Sequence, residues 1–336
     1  MIAAVQFRNF KALRSASVQL APFNLVLGPN GSGKTSLIQA LLRLRTMAGL
    51  PAIHAHEFKD QRADGPQVEF RFSPPWQGIR VILGCNSEEF VCNQLVVDHP
   101  PGPDGEALWA ELRPTLQSIR AFLFDHYAMA VPANKTYSTE LASNGSNLAA
   151  VLAGWRESQP AVFAELQTEF VRLMPEFSGL ELHPGASGTV ELGAKLVENG
   201  QEFIAAENLS QGTLYLLAIL ALVHAPNPPA IVCLEEVDRG VHPRSLRELR
   251  DALYRLSYPK DAGLDRAPVQ VIATTHSPYL LDQFKEHPEE IVLANKHGRA
   301  AHFERLSDRA DILELMQEAH LGDLWYSGIL GGVPGE

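Results

Sequence analysis

The chain has 336 residues, of which 46% are hydrophobic and 20% charged, a composition typical of a globular protein. Its longest apolar stretch, Leu214 to Val223, is far shorter than the roughly 20 residues of a membrane-spanning helix, and the charged segment Phe7 to Arg14 does not fit a signal peptide, so we expect a cytoplasmic protein with no membrane partner. The net charge of −11 excludes a surface that is basic all over, although the cluster Arg244, Arg247 and Arg250 leaves local contact with phosphates open.

The first part of the chain has the pattern of a strand, a glycine-rich turn and a helix. Phe23 to Leu27 is a mostly apolar run, as in a buried strand, and Thr35 to Arg45 has apolar residues at helical spacing. The segment between them fits the phosphate loop G-x-x-x-x-G-K-[ST], in the strand and helix context that the motif requires. Backbone amides would wrap the phosphates, Lys34 would supply positive charge near the β and γ phosphates, and the Thr35 hydroxyl would bind magnesium. The predicted nucleotide-binding residues here are Gly28, Asn30, Gly31, Ser32, Gly33, Lys34, Thr35 and Ser36. Ser36 could equally be an ordinary helix residue.

A middle region separates this segment from a second group of motifs. Short alternating or apolar runs predict an antiparallel sheet from Val68 to Phe72, Arg80 to Leu83 and Phe90 to Val97. Two amphipathic helices and a hairpin that turns at Asn199-Gly200 are predicted next, at Asn147 to Trp155, Ala161 to Leu173 and Val190 to Ile204. Patches rich in proline and glycine predict loops at Pro100 to Gly105, Pro184 to Gly188 and Pro226 to Pro229. No long heptad run is present, so an antiparallel coiled coil is not expected.

Helices and strands alternate in the last part of the chain, which indicates a mostly parallel sheet covered by helices. The predicted elements are Gln211 to Val223, Ile231 to Leu234, Arg244 to Leu256, Val269 to Thr274, Pro278 to Phe284 and Ile291 to Leu293. We therefore predict an α/β fold in which a single ATPase head is split in sequence. Residues 1–66 form its N-terminal lobe, 67–205 a β subdomain with a helical insertion, and 206–336 its C-terminal lobe.

Two acidic residues, Glu235 and Glu236, follow the apolar strand Ala230 to Leu234 directly, as in a Walker B element. In that reading Glu235 holds magnesium, directly or through water. Glu236 then orients and polarises the attacking water, since phosphoryl transfer needs a positioned base more than covalent chemistry. Alone, such a pair could be a solvated loop, but the phosphate loop upstream favours the Walker B interpretation.

Two further motifs surround this strand. Leu209-Ser-Gln-Gly-Thr213 precedes a helix, so Ser210 and the Gly212 amide can cap a helix N-terminus that faces an anion. Thr274-Thr-His276-Ser-Pro278 follows the next strand, where the imidazole of His276 would hydrogen-bond a γ phosphate. Most of the other histidines are read as ordinary surface or core residues, with His242 as the exception.

The three cysteines, Cys85, Cys92 and Cys233, have no metal-type spacing, and Cys233 lies in an apolar run where cysteine behaves as a small hydrophobe. We expect neither zinc nor a structural disulfide.

The ordered set of phosphate loop, Leu-Ser-Gln-Gly-Thr, Glu-Glu-Val-Asp238-Arg-Gly-Val-His242-Pro and Thr-Thr-His-Ser-Pro resembles the ABC-type ATPases of the SMC, RecF and OLD group. The resemblance implies a P-loop NTPase that uses ATP and Mg²⁺ and forms a homodimer. Ser210 and Gly212 of one protomer would complete the ATP site of the other, and Asp238 and His242 would touch the opposing protomer. His276 matches the switch histidine, and Asn9 to Lys11 would lie near the adenine.

This chain departs from the broader pattern in two places. Glu235 replaces the commoner Walker B aspartate, which lengthens the arm to magnesium. The glutamine that senses the γ phosphate is not assigned among Gln61, Gln67 and Gln117.

The resemblance favours an ATP-driven dimerising switch that acts on DNA through backbone contacts, or on a partner effector, in DNA repair or anti-phage defence. The segment after His276 is too short for a fused TOPRIM nuclease domain, so a nuclease or effector would be a separate subunit. The alternatives are the ATPase subunit of a membrane transporter and a nucleotide-binding regulator with little turnover.

Overall fold

The computed structural model describes residues 1–54, 65–86, 91–135, 140–198, 202–298 and 300–331. The chain forms two compact units. Unit 1 consists of Met1–Ala121, Pro229–Leu234 and Pro268–Glu336, and unit 2 of Phe122–Pro228 and Glu235–Ala267. Each unit is therefore built from segments that lie far apart in the sequence.

The strands, numbered in chain order, are β1 (Ile2–Phe10), β2 (Leu13–Gln19), β3 (Phe23–Leu27), β4 (Ile53–His54), β5 (Gln67–Phe72), β6 (Arg80–Cys85), β7 (Cys92–Asp98), β8 (Arg120–Phe122), β9 (Ala133–Asn134), β10 (Phe177–Pro184), β11 (Thr189–Leu196), β12 (Phe203–Ala205), β13 (Ile231–Leu234), β14 (Gln270–Thr275), β15 (Ile291–His297) and β16 (Ala300–Arg305). The α-helices are α1 (Lys34–Met47), α2 (Pro103–Gln117), α3 (His126–Ala130), α4 (Leu148–Ser158), α5 (Pro160–Leu173), α6 (Gln211–His224), α7 (Leu246–Ser257), α8 (Pro278–Asp282), α9 (Ile312–Glu318) and α10 (Leu321–Tyr326).

Unit 1 contains a sheet with the order β2-β1-β5-β6-β7-β4. The pairs β1–β2, β1–β5, β5–β6 and β6–β7 are antiparallel, which confirms the antiparallel sheet predicted for the middle region. Strands β1 and β2 were not predicted. They join this sheet, and alternate residues such as Val5, Phe7 and Val18 enter its core.

A second sheet of unit 1 has the order β16-β15-β3-β14-β13-β8. Strands β15, β3, β14 and β13 run parallel, and β16 pairs antiparallel with β15. Every residue of β3 and β13 is buried. Such strands are largely apolar in sequence because helices or other layers cover both faces of a parallel sheet. The bounds predicted from the sequence were therefore accurate.

The cysteine prediction is wrong in one respect. Cys85 and Cys92 lie directly opposite each other at the β6–β7 pairing and form a disulfide. Their separation of 7 residues carries no information about pairing until the two strands are known to be antiparallel neighbours. Cys233 is buried in β13 and takes no part in the disulfide, as predicted.

Unit 2 combines a small sheet with helices. Strands β10, β11 and β12 are antiparallel neighbours, and β9 pairs with the other end of β11. The hairpin of β11 and β12 confirms the prediction for Val190 to Ile204, although its turn at residues 199 and 200 lies outside the described residues. Helix α6 is buried from Gly212 to Val223, which accounts for the longest apolar stretch of the chain.

Helix ends are closed by arginine side chains in both units. In unit 1, Arg113 on α2 donates from Nε to the Ala48 carbonyl at the end of α1, at 2.6 Å. In unit 2, Arg266 donates to Val223 O at 2.6 Å and to Arg255 O at 2.8 Å, in the last turns of α6 and α7. The guanidinium groups donate to carbonyls that have no partner within their own helix, and their positive charge interacts favourably with the negative end of each helix dipole.

A buried carboxylate joins three helices of unit 2. Glu169 on α5 bonds to Nε2 of His224, at the end of α6, at 2.7 Å, and both of its oxygens accept from Arg255 on α7 at 2.6 Å. Burial alone would raise the pKa of Glu169, but the hydrogen bonds from His224 and Arg255 outweigh burial and lower the pKa from 4.5 to about 2. The side chain is therefore ionised at neutral pH.

The longest helix of the described ranges, α2, has 15 residues and begins at Pro103. Part of the predicted loop Pro100 to Gly105 is thus helical, because proline is well suited to the first turn of a helix. Within these ranges no helix combines the length and the apolar character needed to cross a bilayer.

Candidate nucleotide-binding site

The phosphate loop of unit 1 connects β3 to α1. Helix α1 begins at Lys34, and Gly33 before it has φ 99°, a left-handed conformation that favours glycine. Gly28 lies against the backbone of β15, because a Cβ there would stand 2.2 Å from the Ala294 carbonyl oxygen. These two glycines let the backbone turn tightly enough to direct amides into the loop.

The ammonium of Lys34 is held by carbonyls of the phosphate loop itself. Lys34 donates from Nζ to the carbonyls of Gly28 at 2.6 Å and Pro29 at 3.0 Å, and only 8% of the residue is exposed. The hydroxyl of Ser32 is buried, and no described residue forms a hydrogen bond with it. Buried polar groups are nearly always hydrogen-bonded, so an orphan hydroxyl beside a buried ammonium fits a site completed by a phosphate.

Two neighbouring strands end beside this loop. Leu27, the last residue of β3, is in register with Thr275 at the end of β14, and with Leu293 of β15 on its other side. His276 follows β14 directly and is exposed. Hydrogen bonds of the next residue fix the backbone around His276. The Ser277 amide donates to Thr275 Oγ1 at 2.9 Å, and Ser277 Oγ caps α8. Unit 1 therefore brings Gly28 to Ser36 and His276 to one edge of the sheet, where α/β proteins bind ligands.

The paired acids follow β13 and belong to unit 2. Glu235 is half-buried and Glu236 is exposed. Glu236 has φ 50°, in the left-handed region that non-glycine residues rarely adopt. Its carboxylate lies 3.4 Å from the guanidinium of Arg239, and its carbonyl accepts from the Arg239 amide at 2.9 Å. Strained backbone of this kind is often found at functional sites, where the surrounding structure maintains it.

The signature segment of unit 2 has the predicted capping geometry. Ser210 is the N-cap of α6, and its Oγ accepts from the Thr213 amide at 3.1 Å. A Cβ on Gly212 would stand 2.3 Å from the Gly240 carbonyl oxygen, so only glycine allows these two backbones to pack. The signature segment with Ser210 and Gly212 therefore packs within unit 2 against the turn that contains Asp238.

His242, the other histidine singled out in the sequence, begins the short turn before α7. Its Nδ1 accepts from the Arg244 amide at 3.2 Å, as an N-cap does.

The three glutamine candidates for the γ-phosphate sensor differ in position. Gln117 donates from Nε2 to the Ala48 carbonyl at 3.2 Å. Ala48 follows the C-terminal end of α1, about 20 Å along the helix axis from Lys34. That position argues against Gln117 as the sensor. Gln67 begins β5, within the antiparallel sheet, and Gln61 lies outside the described residues.

The structure adds one cation that sequence reasoning missed. Lys296, on β15, has its Nζ 3.9 Å from the point where a Cβ on Gly31 would stand, at the tip of the phosphate loop. The sequence shows a lysine after an apolar run, but it does not show that β15 is the neighbour of β3.

We expect Lys296→Gln to weaken ATP binding about threefold to tenfold, because an exposed charge near a phosphate contributes roughly 1 kcal/mol. Titration of a fluorescent ATP analogue would measure the change, with Lys285→Gln, an exposed lysine of unit 1, as the matched control. Equal affinities for the two variants would show that Lys296 does not contribute.

Comparisons with known proteins agree with this architecture. Residues 115–282, half of the chain, match the family described as "AAA domain, putative AbiEii toxin, Type IV TA system". Residues 1–70 match the family described as "AAA ATPase domain". No curated protein sequence matches the chain.

Among solved structures the chain is similar to heads of SMC proteins. An SMC head bound to the C-terminal winged-helix domain of ScpA has a TM-score of 0.62 at 14% identity, and the match covers 94% of this chain and 99% of that one. The SMC head domain from Thermotoga maritima has a TM-score of 0.52 at 13% identity, with coverage of 90% and 98%. The Smc head of Pyrococcus furiosus, with an extended coiled coil and bound to the C-terminal domain of ScpA, has a TM-score of 0.57 at 14% identity, with coverage of 94% and 99%. These matches confirm the predicted α/β fold, which is similar to that of SMC ATPase heads.

Proposed function

This chain belongs to the AAA-domain family whose description includes the AbiEii toxin, and we propose that it is an ATP-driven switch that closes as a head-to-head homodimer and acts on DNA or on a partner effector. One observation supports the proposed ATP site. The buried Lys34 and the buried Ser32 hydroxyl, which lacks a hydrogen-bond partner among the described residues, belong to the same phosphate-loop segment. Phosphate oxygens are the acceptors that complete both groups.

Within one chain, the proposed roles follow from side-chain chemistry. Lys34 and the loop amides bind the β and γ phosphates. Thr35 and Glu235 would hold Mg²⁺, an ion that typically uses one or two protein oxygens together with substrate phosphates and that neutralises charge during transfer. Glu236 orients the attacking water and takes its proton, and His276 donates to the γ phosphate.

The homodimer is proposed from the signature segment. Ser210 and the buried Gly212 begin α6, and the N-terminus of a helix favours anions. We infer that these residues complete the ATP site of a second copy, with Asp238 and His242 at the contact between protomers. In the same reading, Asn9 to Lys11 lie near the adenine, and residues 1–66, 67–205 and 206–336 act as lobes of one head.

The target of the switch is proposed from the comparisons. The family description names a toxin–antitoxin system, and two of the similar SMC heads are bound to ScpA, so control of a partner protein is supported. Roles in DNA repair and in anti-phage defence both fit such a switch. A regulator with little turnover remains the second candidate, because Arg239 pairs with the carboxylate of Glu236.

Ser210→Arg is expected to keep the protein monomeric while ATP still binds, because the larger cation would obstruct the approach of a second phosphate loop. The mass in solution would be measured by light scattering with magnesium and a non-hydrolysable ATP analogue. Wild type should double its mass, and Ser210→Ala, which removes only the cap, should retain dimerisation. A Ser210→Arg protein that dimerises like wild type would contradict the role in trans.

A further inference from the structure

A second cationic cavity lies in unit 1, away from the phosphate loop. It has a volume of about 410 Å³ and lies between the turn that joins β1 to β2, the second half of α1 and the start of β7. Its polar wall consists of Lys11, Gln39 and Arg43, and its apolar wall includes Leu42, Met47 and Val91. Among the described residues that line it, none carries a carboxylate. We call this cavity the Lys11–Arg43 pocket.

Among the described residues that line the pocket, no acidic side chain neutralises its two cations. Lys11 donates from Nζ to Gln39 Oε1, a neutral acceptor. The Nε of Arg43 is buried and has no hydrogen-bond partner among the described residues. Burial and, after it, the charge of Arg43 lower the pKa of Lys11. A buried donor without a partner is unfavourable, and an anion would relieve both this cost and the repulsion between the cations.

The pocket is distinct from the site proposed for the β and γ phosphates of ATP. Arg43 follows Lys34 by nine positions on α1, which corresponds to about 13 Å along the helix axis. A phosphate held at the N-terminus of α1 therefore does not reach Arg43. The apolar wall beside the cations further suits a ligand that carries a carbon skeleton next to its anionic group.

We propose that the Lys11–Arg43 pocket binds a phosphate group, supplied either by a nucleic-acid backbone or by a small phosphorylated molecule. Arg43 donates to the phosphate oxygens through its planar guanidinium, and Lys11 adds a point charge. This inference does not depend on hydrolysis or dimerisation, so its outcome and that of the proposed ATP switch can be told apart.

The test uses the double variant Lys11→Asn/Arg43→Gln in the Lys34→Ala background, so that the phosphate loop does not compete. Asparagine tolerates the left-handed backbone of position 11, where φ is 56°. The two probes are a labelled single-stranded oligonucleotide, followed by fluorescence anisotropy, and inorganic pyrophosphate, followed by calorimetry. Both are measured without ATP. The control Arg8→Gln/Arg14→Gln removes two exposed charges from the neighbouring strands β1 and β2.

We expect the double variant to bind at least one probe tenfold more weakly than the control does. If only oligonucleotide binding is lost, and the slope of log K against log salt concentration falls in magnitude by about 1.5, the ligand is a nucleic-acid backbone. Loss of pyrophosphate binding identifies a small phosphorylated ligand. The single variant Lys11→Asn, at a half-buried turn position, should show a smaller loss and guards against misfolding of the double variant. Affinities equal to those of the control, or no binding of either probe by the background protein, would overturn the proposal.

Discussion

Glu236→Gln is expected to form a stable dimer with ATP and magnesium and to lower turnover by about 100-fold or more. Glutamine keeps the size of the side chain and its hydrogen bonding, but it cannot accept the proton of the attacking water. The buried strand β13 holds the backbone before it, so we expect the loop to keep its shape. Unhydrolysed ATP would then hold the two copies together. Light scattering gives the mass and phosphate release gives the turnover.

The control for this experiment is the double variant Lys34→Ala/Glu236→Gln. Without the ammonium that lies inside the phosphate loop, ATP should not bind, and the double variant should stay monomeric with ATP. If Glu236→Gln hydrolyses ATP at the normal rate, Glu236 is not the base. If the protein is dimeric with and without ATP, nucleotide changes the shape of the dimer rather than its assembly.

Glu169→Gln is expected to destabilise the fold by roughly 3 kcal/mol at pH 7. The reason is that Arg255 and His224 would lose the carboxylate that joins α5, α6 and α7, and removal of one partner leaves a partly buried charge uncompensated. Urea unfolding measures the difference. Glu165→Gln, an exposed change on the same helix, should alter stability by less than about 0.5 kcal/mol.

The effect of Glu169 should also depend on pH. Because the folded-state pKa of about 2 lies below the ordinary value of 4.5, ionised Glu169 contributes its full stabilisation above pH 4.5 and loses it as the pH falls towards 2. Wild type and Glu169→Gln should therefore become nearly equal in stability near pH 2. A difference that stays constant from pH 7 to pH 3 would mean that packing, not ionisation, accounts for the change.

Elements with a strong periodic or apolar pattern were predicted well. Phe23–Leu27 and Ile231–Leu234 are observed with the predicted bounds, and α6 ends one residue beyond its prediction. These segments are buried on all sides, so their composition alone reveals them. Strands β1, β2 and β10 were missed because their residues alternate imperfectly, and β1 also pairs with the distant strand β5.

The sequence by itself determined the order of the nucleotide-binding motifs, because glycine, lysine and carboxylate chemistry at fixed local spacing needs no knowledge of the fold. Only the tertiary structure decided which residues join them from elsewhere. It placed Lys296 beside Gly31, Cys85 opposite Cys92, and Lys11 near Arg43. Strand order, register and packing bring these groups together, and local patterns do not encode those pairings.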